Sequence, residues 1–144
     1  MKRDNAREIA IQILYSGKYD ALNIDDFLTQ DNFDVLSDEC DIYSNKLDDN
    51  SNKYIRDVVN NYNLHSEEID NYIQKNSKSW NINRISSTAL ACLRCALTEI
   101  IYMDDIPPAA SINSVVEIDK GYDDPDVVSF VNGLLGSVVK DLNN

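Results

Sequence analysis

The segment from Ser86 to Met103 constrains the fold more than any other part of the chain. Leucine, isoleucine, alanine and cysteine side chains fill it almost all round, and few charged residues interrupt them. A helix without a polar face must be enclosed by other elements, so this segment is predicted to be the buried centre of its domain. The Pro107-Pro108 pair ends it, because proline disfavours helix at its own position and at the residue before it.

The remaining apolar residues also recur at steps of three and four, the period of a helix face, rather than alternating as in a strand. Only four glycines and three prolines punctuate the chain. Six further helices are indicated, over Ala6–Leu14, a stretch after Asn23, Tyr54–Tyr62, Ser66–Ile73, Ile112–Ile118 and a last segment that opens at Asp124-Pro125. About seven helices and no convincing strand predict an all-α protein.

The net charge of the chain is -12 and its isoelectric point lies near 4.3. A field of this sign repels phosphate, so it argues against broad, unspecific nucleic-acid binding and favours basic protein partners. Any RNA contact would have to come from a local basic patch. At 144 residues the chain is most simply one domain.

The sequence predicts a cytoplasmic protein without membrane contact. No run approaches the roughly 18 apolar residues that cross a bilayer, and the basic start lacks the apolar region of a signal peptide. The three cysteines, Cys40, Cys92 and Cys95, are an odd number without the spacing of a disulfide framework. This cysteine usage favours a reducing compartment.

Residues that could support catalysis or bind a metal are few. Cys92 and Cys95 form a CxxC spacing, but a zinc site needs about four ligands and the single histidine, His65, lies far away in the chain. Small thiols in a buried helix explain the pair better than a metal or redox site. His65 is expected to lie in a loop or to cap a helix, and the aspartate pairs that flank helices are expected to be solvated or capping. We therefore predict no enzymatic activity, no cofactor and no metal.

Four residues are unusual for the interior of a helix. Arg94 and Glu99 are charges within the most apolar helix, and each is expected to have a buried partner, because an unpaired buried charge is very costly. Gly133 and Gly136 interrupt the last helix, where each costs about 1 kcal/mol relative to alanine. Close packing against another helix is the preferred explanation for the glycines, and close approach of a ligand backbone is the alternative.

The first fifteen residues, MKRDNAREIAIQILY, contain three of the 13 basic residues. Their apolar residues form one helix face, and Arg3, Arg7 and Tyr15 follow another line of the helix surface. A few exposed cations on such a helix need no function. With Gln12 and Tyr15, however, the helix offers phosphate-binding cations, an amide and a stacking ring, which single-stranded RNA recognition uses. The residues alone leave both explanations open.

Four ordered motifs resemble the NusB family of bacterial transcription antitermination factors. AREIAIQILY is similar to the family's Ala-Arg-x-x-Ala-x-Gln-x-Leu-Tyr signature, and the segment from Leu93 to Glu99 is similar to its Leu-Arg-x-Ala-x-x-Glu element. IPPAASINSVVEIDKGY resembles the family's proline turn and Ile-Asn-Glu helix, and FVNGLLG resembles its Phe-Val-Asn-Gly motif. The matches cover most of the chain and leave out the acidic stretch from Asp20 to Asn52.

The resemblance implies an all-helical fold of two small helical subdomains, with residues 1–144 as a single NusB-like RNA-binding domain. It implies a non-enzymatic role: binding boxA RNA, mainly of ribosomal RNA operons, together with NusE, a small-subunit ribosomal protein, within the RNA polymerase antitermination complex. Carried over by position, the RNA surface comprises Lys2, Arg3, Arg7, Gln12, Tyr15, Asp126 and Phe130. Three cations that neutralise phosphates predict a slope of about -2 when the logarithm of the RNA-binding constant is plotted against the logarithm of the salt concentration. The substitution Arg7→Glu is expected to weaken RNA binding without loss of helicity.

The resemblance also implies a NusE-facing surface near Trp80, Asn83 and Ala89. Two carboxylates of the family pattern are replaced, one by Ala89 and one by Ser114, and their loss is expected to affect this contact. Two alternatives stay open: a protein-interaction module that has lost RNA binding, or an RNA-binding appendage of an RNA methyltransferase, which requires a longer chain. A homodimer stays open as well.

Overall fold

The computed structural model describes residues 1–17, 48–77 and 85–143, and all regular structure within these ranges is helical. The five helices are α1 (Arg3–Ser16), α2 (Asp49–Lys75), α3 (Ser87–Tyr102), α4 (Pro108–Asp119) and α5 (Pro125–Leu142). The prediction of an all-α protein is confirmed. The helix predicted after Asn23 lies outside the described residues.

Helix α3 lies at the centre of the fold and packs against all four other described helices. Leu93 and Leu97 are fully buried within it, and its small residues Ala89, Ala91 and Ala96 are buried too. Each surrounding helix contributes an apolar face, and burial of each large aliphatic side chain stabilises the fold by roughly 1.5–3 kcal/mol. The largest of these buried side chains are Ile9, Ile13, Leu14, Ile55, Val58, Ile69, Ile73 and Leu135. The prediction that the most apolar segment forms the centre is therefore confirmed.

The helix ends follow from local chemistry. Gly17 ends α1 at a φ of 76°, a left-handed conformation that glycine adopts without strain. Ser86 caps α3, because its side-chain oxygen accepts a hydrogen bond from the Ala89 backbone N–H at 3.1 Å. Pro108 and Pro125 begin α4 and α5, at a position where no backbone N–H is needed.

Helix α2 runs for 27 residues and bends at His65, whose φ and ψ of -122° and 22° are not helical. The sequence predicts two helices here, ending near Tyr62 and restarting at Ser66, and the kink at His65 separates two helical segments at this place. The His65 ring stacks on the Tyr102 ring of α3 with centroids 3.9 Å apart, and the Tyr102 hydroxyl donates to Glu68 at 2.6 Å. His65 therefore lies at a non-helical junction between two helical segments, and its ring packs against α3.

Gly133 and Gly136 lie on the outer side of α5. A methyl group at either position would meet no atom within 4 Å, whereas Leu134 and Leu135 between them are buried. Because the two leucines turn inward, the positions before and after them point away from the core. Close packing against another described helix is therefore the wrong explanation for these glycines.

Two carboxyl groups meet near the end of α4. Asp119 is fully buried, and its Oδ1 lies 3.9 Å from the Cys92 thiol, while Asp123 accepts a hydrogen bond from the Ser86 hydroxyl at 2.9 Å. The Oδ2 atoms of both aspartates are buried without a donor among the described residues. Burial, and then the neighbouring Asp123, raise the pKa of Asp119 to about 7. The fold therefore favours the neutral form of Asp119.

We expect Asp119 to make the protein less stable as the pH rises. Its pKa is raised above the ordinary 3.8, so between about pH 4 and pH 7 the folded state holds a proton that the unfolded state has released. The contribution of Asp119 to the free energy of unfolding therefore falls as the pH rises from about 4 to about 7. Asp119→Asn stays neutral at every pH. Between about pH 5 and pH 8 the Asp119→Asn variant should therefore lose at least about 1 kcal/mol less stability than the unmodified protein, as measured by urea unfolding.

The control is Asp141→Asn, which changes an exposed aspartate of α5. Its stability should follow the pH dependence of the unmodified protein. If Asp119→Asn and Asp141→Asn have the same pH dependence, the buried carboxyl pair does not hold a proton in the folded state.

Candidate nucleic-acid interface

The predicted RNA-binding residues of α1, except Arg7, are spread along its outer side. The inner side packs against α2 and α3. Lys2 and Arg3 are exposed at the N-terminal end, whereas Gln12 is half-buried and Tyr15 is 59% exposed near the C-terminal end. A rise of 1.5 Å per residue separates the two groups by about 18 Å. An extended ligand would be needed to contact both groups.

Two cations of the predicted surface are accessible. Lys2 is exposed and immediately precedes α1. Arg3 is exposed as well, and its guanidinium carbon lies 4.3 Å from the centroid of the Tyr54 ring of α2. This cation–π contact restricts the orientation of a long side chain and leaves its charge at the surface. The positions of Lys2 and Arg3 are compatible with the predicted phosphate contacts.

Arg7 does not lie on the outer surface. It is 2% exposed, and its guanidinium forms a bidentate ion pair with Glu99 of α3, with Nε 2.7 Å from Oε2 and Nη2 2.6 Å from Oε1. Nη1 also donates to Asp4 at 3.2 Å. The expectation that Arg7 neutralises phosphate is corrected, since its donors face protein carboxylates. Arg7→Glu would place two carboxylates together in the core, so it would not leave the fold intact.

The Glu99 carboxylate receives further hydrogen bonds from three elements. The Tyr54 hydroxyl of α2 donates to it at 2.7 Å, the Ser111 hydroxyl of α4 at 3.1 Å, and the Cys95 thiol of α3 at 3.5 Å. Burial opposes the charged form of Arg7, but the hydrogen bond to Glu99 and nearby negative groups keep its pKa above the ordinary value. Burial raises the pKa of Tyr54 and of Cys95, so both remain neutral donors.

The other charge within α3 also has a partner. Arg94 donates through Nε and Nη2 to the two carboxylate oxygens of Asp70 on α2, both at 3.1 Å. Its guanidinium carbon lies 5.2 Å from the Tyr62 ring centroid. The prediction of a buried partner is confirmed for Glu99, which pairs with Arg7. Arg94 also has a partner, but the side chain of Asp70 is 31% exposed, so this pair is only half-buried. Sequence reasoning did not identify these partners, because neither Asp70 nor Arg7 is close to its partner in the chain.

A groove of about 600 Å³ lies between α1 and α4. The Tyr122 hydroxyl, in the turn after α4, donates to Glu8 Oε1 of α1 at 2.8 Å, and the Ser114 hydroxyl of α4 donates to Asp4 at 2.7 Å. Burial, and then the hydrogen bond to Glu8, raise the pKa of Tyr122. The residues that line the groove are Asp4, Glu8, Gln12, Ser114, Glu117, Ile118, Gly121 and Tyr122. Gln12 therefore lies in a groove that also contains carboxylates, and Lys2 and Arg3 are not among the residues that line it.

The predicted residues of α5 lie at its start. Asp126 is exposed in the first turn, and Phe130 is half-buried and packs against the core. The Tyr122–Glu8 hydrogen bond ties the turn before α5 to α1. Asp126 follows Tyr122 by only four residues. The short connection between α4 and α5 therefore holds the predicted α5 residues close to the outer side of α1.

The predicted partner surface is only partly within the described residues. Trp80 and Asn83 lie outside them. Ala89 is fully buried in α3 and belongs to the core. The expectation that Ala89 faces a partner directly is therefore corrected: it lies one turn into the central helix, where its small side chain is enclosed.

The cysteine pair is structural in the described part of the chain. Cys92 and Cys95 are free and buried, and burial raises the pKa of both thiols. No cluster of three or more histidine, cysteine or carboxylate side chains that could hold a metal ion occurs within residues 1–17, 48–77 and 85–143. Across the same ranges, none of the helices is both long and apolar enough to span a bilayer.

Comparison with known proteins places these features in a family. The model of the NusB family matches residues 4–140. The chain belongs to the NusB family. The NusB transcription antitermination protein of Acetivibrio thermocellus is 39% identical over 140 residues, which span 97% of this chain and 90% of that protein. The NusB protein of Alkaliphilus oremlandii is 35% identical over 140 residues, which span 97% and 94% of the two chains.

A solved structure with the NusB fold has a similar arrangement. One chain of the structure of the antitermination factors NusB and NusE in complex with double-stranded RNA matches with a TM-score of 0.73 and 25% sequence identity. The match covers 96% of each chain. The all-helical fold expected from the family resemblance is thus found over nearly the whole length of a NusB-family relative.

The buried ion pair leads to a prediction about stability. Arg7→Ala removes one partner and leaves Glu99 charged in the core, so we expect a loss of about 3–5 kcal/mol in the free energy of unfolding. Chemical denaturation followed by far-UV circular dichroism measures it.

Lys53→Ala is the matched control, because Lys53 forms an exposed ion pair with Asp57 one turn away. Such pairs contribute about 0–1 kcal/mol. A loss below 1 kcal/mol for Arg7→Ala would contradict a supporting role for the Arg7–Glu99 pair.

Proposed function

We propose that this protein is an RNA-binding transcription antitermination factor that works in the cytoplasm and without catalysis. In this role residues 1–144 act as one RNA-binding domain, which binds boxA RNA together with NusE within the RNA polymerase antitermination complex. Membership of the NusB family over residues 4–140 is the observation that carries the proposal. The relatives are named transcription antitermination proteins, and a similar fold occurs in a complex of NusB, NusE and RNA.

The RNA surface that we propose differs from the sequence-based one in its cations. Lys2 and Arg3 contact phosphates, because both are exposed and Arg3 is held by the Tyr54 ring. Tyr15 and Phe130 contact bases or ribose, and the side chains of Gln12 and Asp126 add polar contacts. Arg7 acts indirectly, by fixing α1 on the core.

The proposed partner is basic. The chain carries a net charge of -12, which favours fast association with a basic ribosomal protein more than it favours tight binding. The NusE contact is proposed to lie near Trp80 and Asn83. Because only two cations of α1 are accessible, the RNA affinity of the protein alone should be low and should increase with NusE bound.

The test is fluorescence anisotropy of a labelled boxA-type RNA, with and without NusE, at several salt concentrations. Two phosphate contacts predict a log-log salt slope of about -1.4, shallower than the slope of about -2 for three contacts. Replacing both Lys2 and Arg3 by alanine should bring the slope close to zero and weaken binding about equally for all RNA sequences.

Lys140→Ala serves as the control, because Lys140 is an exposed cation in the last turn of α5. Its RNA affinity should stay within about twofold of the unmodified value. If neither the protein nor its pair with NusE prefers boxA-type RNA over a scrambled sequence, the proposed function fails. Retained NusE binding in that case would favour the protein-interaction module without RNA binding.

A further inference from the structure

We propose that Glu8, oriented by Tyr122, selects RNA bases that carry an exocyclic amino group at the groove between α1 and α4. The inference rests on the proposed RNA-binding function and specifies what one part of that surface recognises. It makes Glu8 a specificity-determining residue and Tyr122 its positioning residue.

The carboxylate of Glu8 is held in a defined orientation. The Tyr122 hydroxyl donates to Glu8 Oε1 at 2.8 Å, and Gln12 lines the same groove. Glu8 and Gln12 are one turn apart on α1, whereas Tyr122 follows α4. The hydrogen bond between Tyr122 and Glu8 therefore connects two elements and fixes the carboxylate, and a fixed acceptor recognises a donor better than a mobile one.

The charges around the groove exclude the RNA backbone from it. Three of its described lining residues, Asp4, Glu8 and Glu117, are acidic, and none is a lysine or arginine. Asp4 is paired with Arg7 and Glu117 with Lys120, so Glu8 carries the charge that no described cation neutralises. Phosphate is repelled here and attracted to the accessible cations Lys2 and Arg3 at the start of α1. A neutral base can enter, because its edge carries no charge and its amino group donates to a carboxylate.

The ring of Tyr122 supplies the second contact that a base needs. It is 49% exposed at the edge of the groove, and exposed tyrosine rings stack on unpaired bases without sequence preference. Stacking on Tyr122 therefore holds the base, and Glu8 discriminates between bases. Cytosine presents an amino group where uracil presents a carbonyl oxygen, which the carboxylate repels.

The experiment compares oligocytidylate with oligouridylate of equal length, because the two bases have the same size and differ only on one edge. Cytosine carries an amino group at C4 and an acceptor at N3, whereas uracil carries a carbonyl oxygen at C4 and an N–H at N3. By fluorescence anisotropy we expect the unmodified protein to prefer oligocytidylate by about fivefold, the equivalent of one net hydrogen bond. Glu8→Gln should reduce the preference to within about twofold, because the amide can donate to the uracil carbonyl as well as accept.

Two further variants separate recognition from charge and from folding. Glu67→Gln removes one negative charge from an exposed position of α2 outside the groove and should keep the fivefold preference. Tyr122→Phe keeps the ring and removes the hydroxyl that orients Glu8, so it should lower the preference while total RNA affinity stays within about twofold. Circular dichroism checks that each variant has native helicity, and Tyr122→Phe provides the test if Glu8→Gln does not fold.

The outcomes are distinguishable. Equal affinity of the unmodified protein for the two oligonucleotides overturns the inference about Glu8 and leaves the proposed RNA binding in place. A cytosine preference that survives in both Glu8→Gln and Tyr122→Phe also overturns it. Absence of binding to either oligonucleotide and to boxA-type RNA overturns the proposed function together with the inference.

Discussion

The buried carboxylate of Glu99 is the point on which the four helices α1 to α4 converge. It receives the Arg7 guanidinium from α1, the Tyr54 hydroxyl from α2 and the Ser111 hydroxyl from α4, and it belongs to the central helix α3. A buried carboxylate with missing donors is strongly unfavourable. Apolar packing alone tolerates small shifts of one helix against another. The same shifts would break the short hydrogen bonds to Glu99, which costs much free energy in the core.

The same interaction determines what the outer surface of α1 presents. Since Arg7 turns inward, the accessible cations of this helix are confined to Lys2 and Arg3 at its start. Beyond them the surface becomes acidic, with Glu8 beside Gln12 and Tyr122 in the groove next to α4. A strongly negative protein therefore presents exposed cations and an acidic groove beside the same helix, because the two lie at different positions along it.

Local rules predicted the helices with good accuracy. Apolar spacing identified each described helix, and Gly17, Ser86, Pro108 and Pro125 begin or end helices as glycine, serine and proline usually do. The predicted break between Tyr62 and Ser66 is present as the kink at His65. The stacking contact of His65 with Tyr102 of α3 lies 37 positions away in the chain, so residue spacing within α2 could not reveal it.

The sequence by itself determined the all-helical class, the burial of α3, the family, and the need for partners of Arg94 and Glu99. These follow from periodicity, residue type and motif order, which are local properties of the chain. The tertiary structure decided that Arg7 is a core partner, that Ala89 is enclosed, that Gly133 and Gly136 are open to the outside, and that Asp119 is buried beside Asp123. Helical spacing tells which residues share a side of a helix, but only the packing of helices determines what lies opposite that side.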